Sequence, residues 1–299
     1  MGPSLPPGRI VELPGRGTTF VREIDGPRGP SGRLSGEHGA PTILLLHGWT
    51  ANADLNWFSS YQALGEHFRV VALDLRGHGR GVRSWRPFRL RDAVDDAAAL
   101  LDVLGIERAI AVGYSMGGAA AQLLWRRHRP RVSGLVLCAT SSVFAETERE
   151  KRLFLAMGAT SLASRATPAV ARRAVASWIL DRRQDGAAVE WVAEELQRND
   201  WTAVLGAGAA LGRFDSRSWL GEVDVPTAVV LTRFDRVVSP RRQAAMARAI
   251  PGAVVHEVDG DHGVVALQPG RFVPALVRAT RQVAARAEAA GRPAASSRS

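Results

Sequence analysis

Four short apolar runs constrain this chain more than anything else in it. Thr42-Ile43-Leu44-Leu45-Leu46, Val70-Val71-Ala72-Leu73, Ala109-Ile110-Ala111-Val112 and Leu135-Val136-Leu137-Cys138 are apolar at almost every position, not at every second one. A strand with water on one side alternates; a strand covered on both sides does not. Helical patterns separate the runs. Ala93, Ala97, Leu100 and Leu104 recur at helical spacing over Asp92–Leu104, with Asp95 and Asp96 near the start and Gly105 as a C-terminal cap. A second helix is expected from about Ser115 to His128, stopped by Pro130. Strands joined through helices must run parallel, with right-handed crossovers. The fold class is therefore α/β, a mostly parallel central sheet flanked by helices.

The rest of the chain fits around that unit. Ile10–Leu13 and Thr19–Ile24 flank Pro14-Gly15-Arg16-Gly17 and read as an antiparallel hairpin at the sheet edge. Asp25–Ala40 is rich in Gly and Pro and reads as a surface loop. The strand–helix rhythm stops after Ala139. It resumes with a strand over Val225–Leu231, a helix through Gln243 to Ile250, a strand over Ala253–Val258 and a last helix over about Phe272–Glu288. Residues 1–140 and 220–288 thus form the expected core, 141–219 a helical insertion, and 289–299 a small, polar, disordered tail.

Composition narrows the function classes. The 299 residues suffice for one well-packed domain without disulfides or metal. A net charge of +10 raises nucleic acid as a partner. Lys151 is the only lysine, however, and the arginines are scattered singly or in pairs such as Arg126/Arg127 and Arg241/Arg242, with no basic block interleaved with aromatics. A solvated surface is the better reading, and no nucleic acid is expected. The single cysteine, Cys138, points to a reducing, cytoplasmic setting. No run reaches the roughly 18 apolar residues of a membrane span. Met1–Arg9 lacks the apolar stretch of a secretory signal, and Pro6 stands where myristoylation after Gly2 wants Ser or Thr.

The chemistry starts at Gly113-Tyr114-Ser115-Met116-Gly117, a G-x-S-x-G sequence. Glycine makes up 30 of the 299 residues, so the match alone is modest. Its place directly after an apolar strand and at the head of a helix makes it specific. A nucleophile there sits in a sharp, strained turn, and its flanking glycines let strand and helix approach. A Gly-rich phosphate-binding turn is the bland alternative. A serine hydroxyl needs a base, and the base an orienting carboxylate. Asp235 follows the Val225–Leu231 strand and His262 follows the next, so all three candidates lie beyond the C-terminal ends of parallel strands. Asp259 and Asp261 compete with Asp235 but lie very close in sequence to His262. His38, His67, His128 and His256 read as surface or structural. An oxyanion needs two donors, expected from the Met116 amide and from the Trp49 amide after His47-Gly48. No metal site and no cofactor motif is present: H-E-x-x-H, C-x-x-C and G-x-x-x-x-G-K-[ST] are all missing.

His47-Gly48-Trp49, Asp74-Leu75-Arg76-Gly77-His78-Gly79, the Ser115 turn, Asp235 and His262, in this order over about residues 45–270, resemble the α/β-hydrolase family of serine hydrolases. The resemblance implies that the Asp74–Gly79 stretch is a structural turn and that the helical insertion is a cap over the active site. Family members that dehalogenate or open epoxides carry Asp at the nucleophile position, and Ser115 argues against both. The expected function is cofactor-independent hydrolysis of carboxylic esters, small molecules with apolar acyl groups. Phe144, Phe154, Trp178, Trp191, Trp201, Phe214 and Trp219 either line an acyl pocket or pack the insertion onto the core. Carbon–carbon, lactone, thioester or amide hydrolysis, perhydrolysis, and a silent ligand-binding protein are the alternatives. Oligomeric state is not readable from this sequence.

Overall fold

Alternate residues of each central strand face opposite layers of helix, which explains the unbroken apolar runs. The computed structural model describes residues 3–27, 40–164 and 187–291; Trp178, His38, most of the Asp25–Ala40 loop and the end of the tail lie outside them. Strands β1 (Gly8–Leu13), β2 (Gly17–Ile24), β3 (Thr42–Leu46), β4 (Arg69–Leu73), β5 (Ala109–Tyr114), β6 (Val132–Cys138), β7 (Thr227–Thr232) and β8 (Val254–Val258) form one sheet in the order β1-β2-β4-β3-β5-β6-β7-β8. The hairpin β1–β2 is antiparallel and joins β4 antiparallel; every other pairing is parallel. Leu44, Leu46, Val71, Leu73, Leu135 and Leu137 pack on one face beneath α3 (Leu90–Val103) and α4 (Met116–Arg127). Ile43, Leu45, Val70, Ala72, Val136 and Val230 pack on the other, beneath α1 (Ala53–Trp57), α2 (Tyr61–Gly65) and the long C-terminal α10 (Pro269–Gly291). That last helix starts three residues before Phe272 and runs three past Glu288, into the expected tail.

The strand order reverses around β3. The chain steps from β3 outward to β4, then crosses back to β5 on the other side. Loops leaving β3 and β5 therefore part in opposite directions and leave a crevice at their C-terminal ends, the usual ligand site of an open α/β sheet. Between β6 and β7 lie α5 (Glu148–Ser164), α6 (Ala187–Gln197) and α7 (Trp201–Gly212). Helices α5 and α7 pack on each other, and Phe144, Ala207, Leu211 and Phe214 continue the hydrophobic core of the sheet's first face. After β7 come α8 (Pro240–Ala249) and, after β8, the single turn α9 (Val264–Leu267). Among the described residues no helix is long and apolar enough to cross a membrane.

Candidate active site

Ser115 sits where β5 turns into α4, with φ 53° and ψ −113°. A left-handed φ on a non-glycine residue is strained and persists only where its surroundings over-determine it. Here they do. The Ser115 amide donates to the Cys138 carbonyl at 2.9 Å, and the Ser115 carbonyl accepts from the Thr140 hydroxyl at 2.7 Å. The flanking glycines are a packing requirement: a Cβ on Gly113 would collide with the Gly117 carbonyl, and one on Gly117 with the Leu46 carbonyl of β3.

The loops after β7 and β8 bring the other two candidates to it. His262 Nε2 lies 3.0 Å from Ser115 Oγ, and His262 Nδ1 lies 2.7 Å from Asp235 Oδ2. The Asp235 carboxylate is buried and fully engaged. Its Oδ1 accepts the Val237 and Val238 amides at 2.8 and 2.9 Å, and its Oδ2 also accepts the Thr232 hydroxyl at 2.8 Å. Burial pushes this carboxyl up, but the hydrogen bond and charge of His262, the Val238 amide and the Thr232 hydroxyl outweigh it and hold the group below its ordinary value. The competing acids are engaged elsewhere: Asp259 pairs with Arg233 at 2.8 Å, and Asp261 Oδ1 accepts the Gly263 amide. Of the other described histidines, His128 meets Asp95, His256 meets Gln282, and His67 lies edge-on to Phe68.

The loop after β3 lies over Ser115, close enough that a Cβ on Gly48 would stand 3.6 Å from Ser115 Cβ. The Gly48 amide donates to Asn56 Oδ1 at 2.8 Å. Among the described residues, the Trp49 and Met116 amides have no hydrogen-bond acceptor. Met116 opens α4, so its N–H points along the positive end of the helix dipole.

Two residues that lie within motifs but carry no expected role there, Tyr114 and His47, help fix this arrangement. The Tyr114 hydroxyl donates to the His262 carbonyl at 2.8 Å. His47 Nε2 accepts the Leu75 amide at 2.9 Å, which leaves the proton on Nδ1, 2.8 Å from the Gly48 carbonyl. Burial, with His78 alongside, pushes that ring down to about 3, so it is neutral. Of the aromatic residues expected either to line a pocket or to pack the insertion, Phe144 meets Phe214, Trp219 stacks on Trp125, Trp191 meets Phe58, Phe154 packs on the core, and Trp201 is buried. Among the described residues no cluster of three or more His, Cys, Asp or Glu is arranged to hold a metal ion.

A sequence profile described as alpha/beta hydrolase fold matches residues 41–269. The AB hydrolase superfamily protein YisY of Bacillus subtilis (strain 168) is 26% identical over 244 residues, covering 77% of this chain and 82% of that protein. Among solved structures, a thermophilic esterase from Thermogutta terrifontis superposes with a TM-score of 0.72 at 25% identity, over 93% of this chain and 99% of that one. The enol-lactonase from Burkholderia xenovorans LB400 superposes with a TM-score of 0.73 at 24% identity, over 91% of this chain and 100% of that one.

Proposed function

Since the chain belongs to the alpha/beta hydrolase fold family, we propose that it is a serine hydrolase that cleaves carboxylic esters through an acyl-enzyme. Ser115 is the nucleophile, His262 the general base and Asp235 the residue that orients it. The observation that carries this reading is the continuous path Ser115 Oγ, His262 Nε2, His262 Nδ1, Asp235 Oδ2, each step at hydrogen-bond distance. As Oγ attacks the ester carbonyl carbon, its proton passes to Nε2, and Asp235 stabilises the imidazolium while keeping the other proton on Nδ1. The carbonyl oxygen becomes an oxyanion, held by the Trp49 and Met116 amides, which have no other acceptor among the described residues to give up. When the intermediate collapses, Nε2 returns the proton to the departing alkoxide. Water then attacks the acyl-enzyme, gives its proton to His262, and releases the acid and free Ser115.

Residues 141–219 act as a cap over this site. In support, Trp49 donates its indole N–H to Val204 of α7 at 2.7 Å, and Asn52 donates to Glu195 of α6 at 2.6 Å, so helices of this segment grip the loop beside the nucleophile. The likeness to the Thermogutta esterase favours esters. Lactones are cyclic esters and pass through the same steps, so they belong in the same assay. Apolar acyl groups suit the apolar surroundings of Trp49, beside Met157 and Gly208.

The test is hydrolysis of p-nitrophenyl esters with acyl chains of roughly two to sixteen carbons, with a lactone series alongside. Ser115→Ala should fold normally and lose all but about 10³–10⁴-fold of catalysis over water. Turnover in that variant close to wild type would overturn the assignment. The chain-length optimum reports the acyl pocket.

A further inference from the structure

We propose that Asn199, about 150 residues from the Trp49 loop in sequence, is a positioning residue that aims the Trp49 amide at the oxyanion; the proposal rests on the esterase reading above. The Trp49 N–H shares one planar peptide unit with the Gly48 carbonyl, so its aim follows from how that unit and the backbone running on through Thr50 are held. On one side Gly48 is fixed through its amide to Asn56 and through its carbonyl to the His47 ring. On the other stands Thr50, a β-branched residue at φ 67°, a conformation that such residues avoid unless held there. What holds it is the side chain of Asn199, whose Nδ2 donates to the Thr50 carbonyl at 2.8 Å.

Asn199 is itself rigidly placed. It is 4% exposed, and its Oδ1 accepts the Gly79 amide at 2.6 Å. Reversing the side-chain amide would lose both bonds, so the donor faces Thr50 by necessity. The next residue continues the attachment. The Asp200 amide donates to the Gly77 carbonyl at 2.9 Å, and the Asp200 carboxylate caps α7 by accepting the Thr202 and Ala203 amides. One turn into that helix, the Val204 carbonyl receives the Trp49 indole N–H. The start of α7 thus grips the loop at two points just after the donor N–H, the Trp49 side chain and the Thr50 carbonyl. Rotation of the peptide groups there would turn the N–H away from the oxyanion and leave the Ser115–His262–Asp235 path intact. Transition-state binding should therefore suffer while ground-state binding does not.

Asn199→Asp separates these roles. It keeps the size and the acceptor for Gly79, removes the donor, and sets a carboxylate oxygen against the Thr50 carbonyl. Asn199→Ala removes both bonds and serves as the second variant, with thermal unfolding followed for each. Removing one oxyanion donor outright costs about 10²–10³ in kcat, so misaiming one should cost about 10–100-fold. KM should stay within about threefold. Affinity for a trifluoromethyl ketone, which forms a tetrahedral adduct with the serine, should fall in parallel with kcat; this is read by titration and needs no turnover. A kcat and ketone affinity equal to wild type in folded Asn199→Asp, even at lower thermal stability, would overturn the positioning role; so would a loss confined to KM. Ser115→Ala distinguishes the two levels. If Ser115→Ala is dead and Asn199→Asp is unimpaired, only the positioning role fails. If Ser115→Ala turns over like wild type, the esterase reading fails beneath it.

Discussion

At the scale of single residues, the hydrogen-bond donors around Asp235 make Asp235→Asn informative. Five donors converge on that carboxylate: two backbone amides on Oδ1, and the Thr232 hydroxyl, His262 and, at 3.4 Å, the Gln243 side-chain amide on Oδ2. An asparagine must keep its oxygen toward the two fixed amides, which turns its NH₂ toward His262. Nδ1 would then accept, the proton would move to Nε2, and the base could no longer take the Ser115 proton. A loss of about 10⁴ in kcat is expected with little change in KM; a rate within tenfold of wild type would mean that the carboxylate does not set the tautomer. Gly117→Ala should fail differently. Its Cβ would drive into the Leu46 carbonyl of β3, and backbone cannot yield as a side-chain tip can. Destabilisation at or above the upper end of about 1–3 kcal/mol is expected in urea unfolding, and an unchanged midpoint would show that the turn can open. That Ser115, Asp235 and His262 come together was legible in the sequence because their chemistry and their positions after strands coincide. Tyr114, His47, Asn56 and Asn199 were not. Tyr114, His47 and Asn199 act through backbone 28 to 149 residues away and Asn56 through the Gly48 amide eight residues back, and no local pattern records such partners.

Among whole elements, the strands were the most legible, because burial on both faces writes itself directly into composition. Helices α1 and α2 were missed. At five residues each they complete barely more than a turn, too little for a period to show. The ends of α10 were misplaced by three residues on each side because Pro269, which suits a first turn, and an alanine-rich end carry little amphipathic signal. How elements lock together was likewise invisible. Asp96 on α3, with its side chain 2% exposed, accepts Arg76 twice at 2.7 Å and Arg16 of the β1–β2 turn at 2.6 Å. One carboxylate thereby ties the edge hairpin and the loop after β4 to a core helix. Asp96→Asn would leave two guanidinium groups without their counterion. Breaking a fully buried pair costs about 3–5 kcal/mol, and because Arg16 and Arg76 keep partial access to water the expected loss is about 2–3 kcal/mol. Urea midpoints for Asp96→Asn and for Arg16→Ala would decide it. Losses below about 0.5 kcal/mol in both would mean that the hairpin is held by its apolar contacts alone.

For the molecule as a whole, the buried groups around the loops after β3 and β4 set how it responds to acid. Burial, with His78 adding to it, lowers His47 from 6.5 to about 3, and burial lowers His78 from 6.5 to about 4. Both rings are therefore neutral when folded at pH values where the unfolded chain protonates them. Their contribution is fully present above pH 6.5 and is lost as the pH falls below it. Asp74 opposes them. Burial raises its carboxyl from 3.8 to about 6 against the pull of the Arg80 and Ala53 amides, so between those values the folded state holds a proton that the unfolded state lacks. Between about pH 6 and 4 the unfolded chain thus holds about two protons at these three sites and the folded chain about one. A net uptake of one proton on unfolding corresponds to about 1.4 kcal/mol per pH unit, or about 3 kcal/mol over the interval. Set against a typical total of about 5–15 kcal/mol, this is a large fraction. Carboxyls held low, such as Glu150 at about 2 beside Arg242, extend the loss to still lower pH. Urea midpoints at pH 7.5, 6.5, 5.5 and 4.5 should therefore fall at every step below 6.5. In His78→Asn the slope between pH 6 and 4 should shrink by about one proton, to nearly flat. A wild-type midpoint constant from pH 6.5 to 4.5 would mean that these histidines reach water in the folded protein, and the loop that carries Trp49 would then lack the neutral His47 ring that supports it.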